Sequence, residues 1–438
     1  MELMPVKTAA AQMHEFEDLH AIAGKAAIVR TVYEGKDISP YWDALMARVS
    51  ADVSDAGAFM DLAIILQTLG KSQEAAITQK GALEMSRKYH IRNGSGSGLR
   101  VLVIATRGDF MANTPIEFLL ESSDANIFLH YVDELTPHLD DVPEHDVAFV
   151  AVGESPENLA VLENLEHLLT SWTGPIVNNA PRRVIDLSRE GVASAFRNEP
   201  TILAPVTTRI ARQTLVDLAA GLLPIAAMDG LTSFPIILRP IGTHAGHGME
   251  KIGSTDAIAA YLTSRPEAEF YIAPFVDYSD DDGKFRKQRI AVIDGKPYAS
   301  HLAISDHWMV HYLNAGMAEH AERRLEEASW MADFDTDFAV RHADAFAALH
   351  RRLGLDYFAI DCAELSDGRL LLFEADVAMI VHSMDSATVF PYKKQSMATL
   401  FAAFEDALAS RTRDGKPLRG QQAHGSNQAG VVSLVEVL

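Results

Sequence analysis

The sequence predicts a multidomain protein of mixed α/β and α+β class: a helical N-terminal part, a doubly wound α/β domain, and a larger α+β domain. Three observations predict it. Apolar residues between positions 12 and 89 recur at helical spacing, glycine and serine alternate through Asn93-Gly94-Ser95-Gly96-Ser97-Gly98, and short apolar strands then alternate with helical stretches before several strands follow in succession. With 438 residues the chain exceeds the size at which a single core stops growing, so several domains are expected. The expected boundaries are a helical domain over 1–95, an α/β domain over 96–185, an α+β domain over 186–410 and a tail over 411–438.

In the helical part, Met13, Phe16, Leu19 and Ala23 form one apolar stripe and Phe59, Leu62, Ala63 and Leu66 another. Leu62-Ala63, Leu66, Gly70, Ala75 and Ala82-Leu83 resemble one tetratricopeptide helical hairpin, with glycine at the turn and alanines permitting close packing. No second copy follows at the ~34-residue period, so an ordinary helical bundle fits equally well. The run from Asn93 to Gly98 has the composition of a flexible linker. Beyond it, residues 99–106, 127–132, 147–152 and 175–177 are short buried-strand candidates, and 158–172 is a helix. Thr114-Pro115-Ile116-Glu117 has the spacing of a capping box with proline at the first helical position. From about Thr207 the expected order is helix, strand, glycine-rich loop, further strands and two long helices. The apolar run 430–438 is an edge-strand candidate at the end of a polar tail.

Composition narrows the function classes. With 38 basic against 60 acidic residues, the net charge of −22 disfavours non-specific binding to nucleic acid or anionic membrane. Cys362 is the single cysteine, so no intrachain disulfide or multi-cysteine zinc site can form, and a reducing compartment is expected. No run approaches the ~18 apolar residues that cross a bilayer, and residues 1–13 lack the core of a secretory signal. A cytoplasmic location follows as the expectation.

The most informative segment runs from Asp356-Tyr357-Phe358-Ala359-Ile360-Asp361 to Leu372-Phe373-Glu374-Ala375-Asp376. Two β-prone runs flank Asp367-Gly368, a pair favouring a two-residue type I′ turn, with Ser366 opposite Arg369. Counting back along both strands from that turn puts Asp361 directly across from Glu374. Asp376, two residues further, shares their face. Three carboxylates on one face of an apolar hairpin require a counter-charge, either a divalent cation such as magnesium or neighbouring arginines.

Upstream, Phe234-Pro235-Ile236-Ile237-Leu238-Arg239 reads as a strand ending in a cation. The glycine-rich Gly242-Thr243-His244-Ala245-Gly246-His247-Gly248 follows, a loop whose backbone can approach phosphate oxygens. Next come strand Glu269-Phe270-Tyr271-Ile272-Ala273-Pro274-Phe275-Val276-Asp277, an acidic loop, and the strand through Arg289. From about residue 99 to 410 this order resembles the ATP-grasp superfamily, most of all glutathione synthetase and the ribosomal-protein glutamate ligases. The resemblance makes 96–185 a Rossmann-like pre-ATP-grasp domain and 186–410 the ATP-grasp domain. It implies that Arg189, Arg239 and the loop carrying Gly242, Gly246 and Gly248 hold the ATP phosphates. Backbone from Ala273 through Pro274, Phe275 and Val276 would meet the adenine, with Asp277 or Asp280 near the ribose. Arg289 would reach the transferred phosphoryl group, and Asp361, Glu374 and Asp376 would bind one or two Mg2+ ions.

This sequence departs from the family in carrying arginine for the usual lysine at 189 and 239, aspartate for asparagine at 376, and Lys287 where an acid often serves the ribose. His307 and His311 lie where the family folds a loop over the phosphoryl group, and imidazole suits proton transfer at neutral pH. The implied activity is a carboxylate–amine ligase that forms an amide through an acyl phosphate and releases ADP and phosphate. Its partners would be a carboxylate-bearing small molecule or peptide and an amine acceptor. The helical domain would serve substrate or partner docking, and a homodimer is compatible with the sequence. The alternative is a nucleotide-binding regulatory or scaffold protein with a degenerate site.

Overall fold

A computed structural model describes residues 19–243 and 246–412. The apolar stripe through Met13 and Phe16, His244 of the glycine loop and the strand candidate 430–438 lie outside them. The fold is mixed α/β and multidomain, with helices leading and three sheets following.

Four helices open it: α1 (Gly24–Tyr33), α2 (Ser39–Ala51), α3 (Ala56–Thr68) and α4 (Ser72–Met85). The expected hairpin is α3–α4, where Gly70 turns the chain at φ +74° and Ala75 and Ala82 are buried. Leu19 and Ala23 do not continue a helix. Between them His20–Ala21 forms a short strand, β1, parallel to β2 (Lys88–Arg92). The amino end of α1 is held by two buried carboxylates from elsewhere in the chain. Asp61 accepts from Ala23 N (2.8 Å) and Gly24 N (3.1 Å). Glu117 accepts from Ala26 N (3.2 Å) and also from Lys25 N. Amide donors left free by helix geometry thus meet anions that favour the positive helix end. The capping box read at Thr114 and Glu117 is therefore not made: Glu117 caps a different helix from its own, α5 (Ile116–Leu119), which has no side-chain cap.

The first sheet has the order β1-β2-β4-β3-β5-β6, with β3 (Arg100–Thr106), β4 (Asn126–Val132), β5 (Val147–Val150) and β6 (Ile176–Val177). Its β4-β3-β5-β6 part is parallel, as the alternating strand–helix pattern predicts, and α6 (Leu159–Leu168) connects β5 to β6. The strand β2 joins it antiparallel to β4, so the boundary expected at residue 95 falls inside one sheet. The Gly/Ser stretch is a hydrogen-bonded turn, not a free linker. Asn93 N donates to Ala125 O, Gly98 N to Asp124 O, and Ser95 N to Asp124 Oδ1. Glycine is required there for close approach: a Cβ at Gly98 would lie 2.8 Å from the Asp124 backbone. Ile28, Leu45, Met60 and Ile65 of the helices share one apolar core with Val101, Val103 and Phe149 of this sheet.

The chain then passes through α7 (Pro181–Ile185), α8 (Arg189–Ala195) and β7 (Ile202–Leu203) into a four-stranded antiparallel sheet of order β10-β9-β11-β8. Its strands are β8 (Thr208–Ala211), β9 (Ile236–Pro240), β10 (Glu250–Ile252) and β11 (Glu269–Pro274). A strand, β8, thus precedes the helix expected at Thr207. Helices α9 (Arg212–Ala219) and α10 (Thr255–Thr263) close this sheet's core through Leu215, Leu218, Ile258 and Leu262. The last sheet has the order β13-β12-β14-β15-β7, with β12 (Phe285–Ile293), β13 (Lys296–Ser305), β14 (Tyr357–Glu364) and β15 (Leu370–Asp376). The helices α11 (Ala321–Asp333), α12 (Phe338–Arg341), α13 (Ala343–Leu353) and α14 (Lys393–Ala409) surround it. Phe404 of α14 meets Phe149 and Tyr357 edge-on, at 5.8 and 5.2 Å, joining this sheet to the first. No described helix is long and apolar enough to cross a membrane.

Candidate active site

The β14–β15 hairpin sets the site, and its register differs from expectation at the turn. Leu365 N donates to Arg369 O and Gly368 N to Leu365 O, so residues 366–368 form a three-residue loop with Gly368 at φ +85°. Ser366 and Arg369 are not paired. A one-residue offset results, with Glu364 opposite Leu370, and a β-bulge between Asp361 and Cys362 removes it. Asp361 consequently does sit across from Glu374, and Ala359 across from Asp376.

A cross-strand row runs over this face of the sheet: His301 on β13 opposes Arg289 on β12, which opposes Asp361 on β14, which opposes Glu374 on β15. Asp361 is buried, with both carboxylate oxygens engaged. Oδ1 accepts from Arg289 Nε (2.8 Å), and Oδ2 from Lys287 Nζ (2.8 Å) and Arg289 Nη2 (3.0 Å). Burial opposes its ionisation, but Arg289 and Lys287 outweigh it and hold the carboxyl well below the usual range. Glu374 accepts from Arg189 Nη2 at 2.8 Å. Among the described residues no group of three His, Cys, Asp or Glu is arranged to hold a metal ion. Of the three carboxylates expected to bind magnesium, Asp361 is paired with two cations of the protein, Lys287 and Arg289. Glu374 and Asp376 remain, and one or two carboxylates completed by phosphate oxygens is the donor set magnesium usually takes.

These two carboxylates form one wall of a narrow cleft between the sheets. Arg189 and Val192 of α8, Leu187, residues 239–243 at the end of β9, Tyr271 on β11 and residues 373–376 line it, with Glu154, Ser155, Pro156 and Glu157 from the loop after β5. That loop follows the carboxyl end of a parallel strand, where α/β sheets place ligands. Arg239 is only 7% exposed, its Nε has no partner, and one Nη2 meets Thr243. Burial and the neighbouring Arg189 push its pKa down to about 10. Two guanidiniums stand in one enclosed space with Glu374 as a shared counter-charge. Burial, Glu374 and Glu154 push the Asp376 carboxyl up to about 7, and burial with Glu190 brings Glu154 to about the same value. The arrangement suits a multiply charged anion accompanied by a cation.

Of the residues expected from sequence, the cleft gathers Arg189, Arg239, Gly242, Glu374 and Asp376. Gly246 and Gly248 fold back instead. Both have φ near +70°, and a Cβ at Gly248 would sit 2.8 Å from Pro240. Ala273, Pro274, Phe275, Val276 and Asp277 link the last two sheets as expected, but the Phe275 amide already donates to Pro235 O (3.1 Å), and the ring carries Lys251 Nζ 3.5 Å from its centroid. Asp277 bonds to Ser279, and Asp280 pairs with Arg286. Arg289 lies in mid-strand, held by Asp361 and by Ile380 O (2.9 Å), not at a strand opening. His307 is exposed, with its Nδ1 accepting from Met309 N (3.1 Å). His311 is half-buried, and burial with Lys287 and Arg289 lowers its pKa.

Sequence reasoning assigned no site role to Lys287 or Glu154. The signal for Lys287 was its spacing of two from Arg289, which puts both on one strand face. The signal for Glu154 was its place just past an apolar parallel strand.

No protein-family model and no curated protein matches the chain. Solved structures do. A RimK domain protein ATP-grasp from Sphaerobacter thermophilus is 14% identical over 70% of this chain and 99% of its own, with a TM-score of 0.40. D-alanine–D-alanine ligase from Bacillus anthracis, complexed with ATP, is 14% identical over 72% and 96%, with a TM-score of 0.38. VanG D-Ala:D-Ser ligase from Enterococcus faecalis is 11% identical over 72% and 99%, with a TM-score of 0.42.

Proposed function

We propose that the chain is an ATP-dependent carboxylate–amine ligase of the ATP-grasp kind. The observation that carries the reading is Arg239: a buried guanidinium with an unpartnered Nε, beside Arg189, in a cleft closed by Gly242 and Thr243. A buried cation without adequate counter-charge is costly, and a polyphosphate would satisfy it. The ordered motifs of the sequence supply the rest. In the first step a substrate carboxylate oxygen attacks the γ-phosphorus, the bond to the bridging oxygen breaks, and ADP leaves. The amine then attacks the acyl carbon, the bond to phosphate breaks, and an amide forms. Glu154, with its pKa near 7, is suited to accept the proton the amine gives up. Magnesium would be held by Glu374 and Asp376 and would neutralise phosphate charge, and Arg189 and Arg239 would orient the phosphates.

The second reading, a nucleotide-binding scaffold without turnover, is favoured by the neutralised Asp361. Incubation with ATP, Mg2+, hydroxylamine and a panel of amino acids and peptides decides between them. The ligase gives ADP, phosphate and a hydroxamate that depend on a carboxylate substrate. Formation of AMP and pyrophosphate, or nucleotide binding without any carboxylate-dependent ADP, refutes it.

A further inference from the structure

We propose that Lys287 is a built-in cation standing where a second divalent ion would sit, so that a nucleotide binds this chain with one divalent ion and not two; this rests on the ATP-binding reading above. Asp361 directly opposes Glu374 and lies two residues across the face from Asp376, a position suited to bridging a second ion. Its oxygens are instead occupied. Lys287 Nζ and Arg289 Nη2 both reach Oδ2, at 2.8 and 3.0 Å, while Arg289 Nε takes Oδ1 at 2.8 Å. A carboxylate offers about four lone-pair directions, so a magnesium ion ~2.1 Å from either oxygen would crowd these cations. The side chains of Lys287 and Asp361 are only 13% and 5% exposed, so water screens that repulsion poorly.

The strand geometry makes the arrangement a fixed feature. Lys287 and Arg289 alternate on one face of β12, and Arg289 pairs in register with Asp361. Arg289 is anchored a second time by Ile380 O at 2.9 Å. With two cations on one carboxylate the local charge is a surplus of one positive charge, the sign a bound metal would leave there. Lys287 and Arg289 also act on His311, adding to burial in lowering its pKa. An ammonium on a flexible stem can keep Asp361 while turning a proton toward a phosphate oxygen, which a guanidinium locked in a fork cannot.

The test counts ions on the full chain. Mn2+ is titrated with a non-hydrolysable ATP analogue, bound Mn2+ is read from the loss of the free-ion electron paramagnetic resonance signal, and nucleotide affinity is measured by calorimetry across free Mg2+. The wild type should take up one Mn2+ per nucleotide, with a log–log slope of affinity on free Mg2+ of about one. Lys287→Met should bind two with a slope of about two, and Lys287→Arg, which keeps the charge, should remain at one. Two Mn2+ on the wild type overturns the proposal alone and would mean that Lys287 swings away. Unchanged stoichiometry in Lys287→Met also overturns it. A wild type that binds no nucleotide overturns the ATP-binding reading itself.

Discussion

Arg239→Met separates binding from stability. The guanidinium is 7% exposed and burial lowers its pKa from the usual arginine range to about 10, so the folded protein disfavours its charged form. At ~1.4 kcal/mol per unit that is on the order of 3 kcal/mol of unfavourable charge burial. The folded pKa is depressed, so the unfolded chain holds the proton more tightly. The penalty is complete below pH 10 and fades only as pH rises toward the unfolded value. Methionine removes it but also removes the bond to Thr243, a charged hydrogen bond of roughly 1.5–3 kcal/mol. The two terms nearly cancel. The ligand-free variant should therefore melt within a few degrees of the wild type, or slightly above it. The rise in melting temperature that ATP and Mg2+ produce in the wild type should disappear, because the phosphates lose their buried partner. Differential scanning fluorimetry with and without nucleotide measures both. A variant that melts far below the wild type yet keeps its nucleotide-induced shift would show that Arg239 is structural and that the anion reading of the cleft is wrong.

Arg289→Met leaves Asp361 buried with Lys287 as its remaining cation, and breaking such a pair costs roughly 3–5 kcal/mol; urea denaturation should show a lower midpoint at an unchanged slope. Asp376→Asn acts in the opposite sense above neutrality. The Asp376 pKa is raised to about 7 in the fold, so its ionisation weakens the protein as pH rises through that value. The amide should stabilise by on the order of 2 kcal/mol at pH 8, allowing for the half-open cleft, and by almost nothing below pH 4. Equal effects at both pH values would rule that out.

How much was legible depended on whether a feature is local. Strands β3, β4 and β5 announce themselves as apolar runs because a parallel sheet is buried on both faces. The α3–α4 hairpin is marked by Gly70, whose positive φ turns the chain, and by the buried alanines Ala63, Ala75 and Ala82. Gly98 was misread because a flexible linker and a turn pressed against Asp124 have the same composition, and the difference lies in a partner about 26 residues away. Glu117 was misread for a related reason: its spacing fits a local cap, but the amino end of α1 offers a more buried set of donors. In the hairpin the Asp361–Glu374 pair was found although the turn was not, because a bulge that no residue type encodes restored the register. Carboxylate position was thus readable, but carboxylate state was not, since Lys287 lies on a strand 74 residues distant in sequence.

That distinction bears on what the carboxylates are for. Asp361 belongs to a row that continues past Arg289 to His301, whose ring lies 4.4 Å from that of Tyr312. Tyr312 in turn meets Lys393, a buried ammonium 3.1 Å from Glu327 and 2.7 Å from Asp385. Burial, Arg289 and Lys393 hold His301 well below its usual pKa, so it stays neutral between two cations. Every charge along this row has an opposite partner except at the cleft end, where Arg239 and Arg189 share Glu374 and where Asp376 and Glu154 crowd each other. A satisfied network rigidifies, and an unsatisfied one demands a ligand. The sheet's polar residues thus differ along the row: those from Lys393 to Asp361 are paired across the strands, whereas at the cleft end Arg239, Asp376 and Glu154 are less evenly balanced, which is the imbalance the proposed anion and its metal would offset.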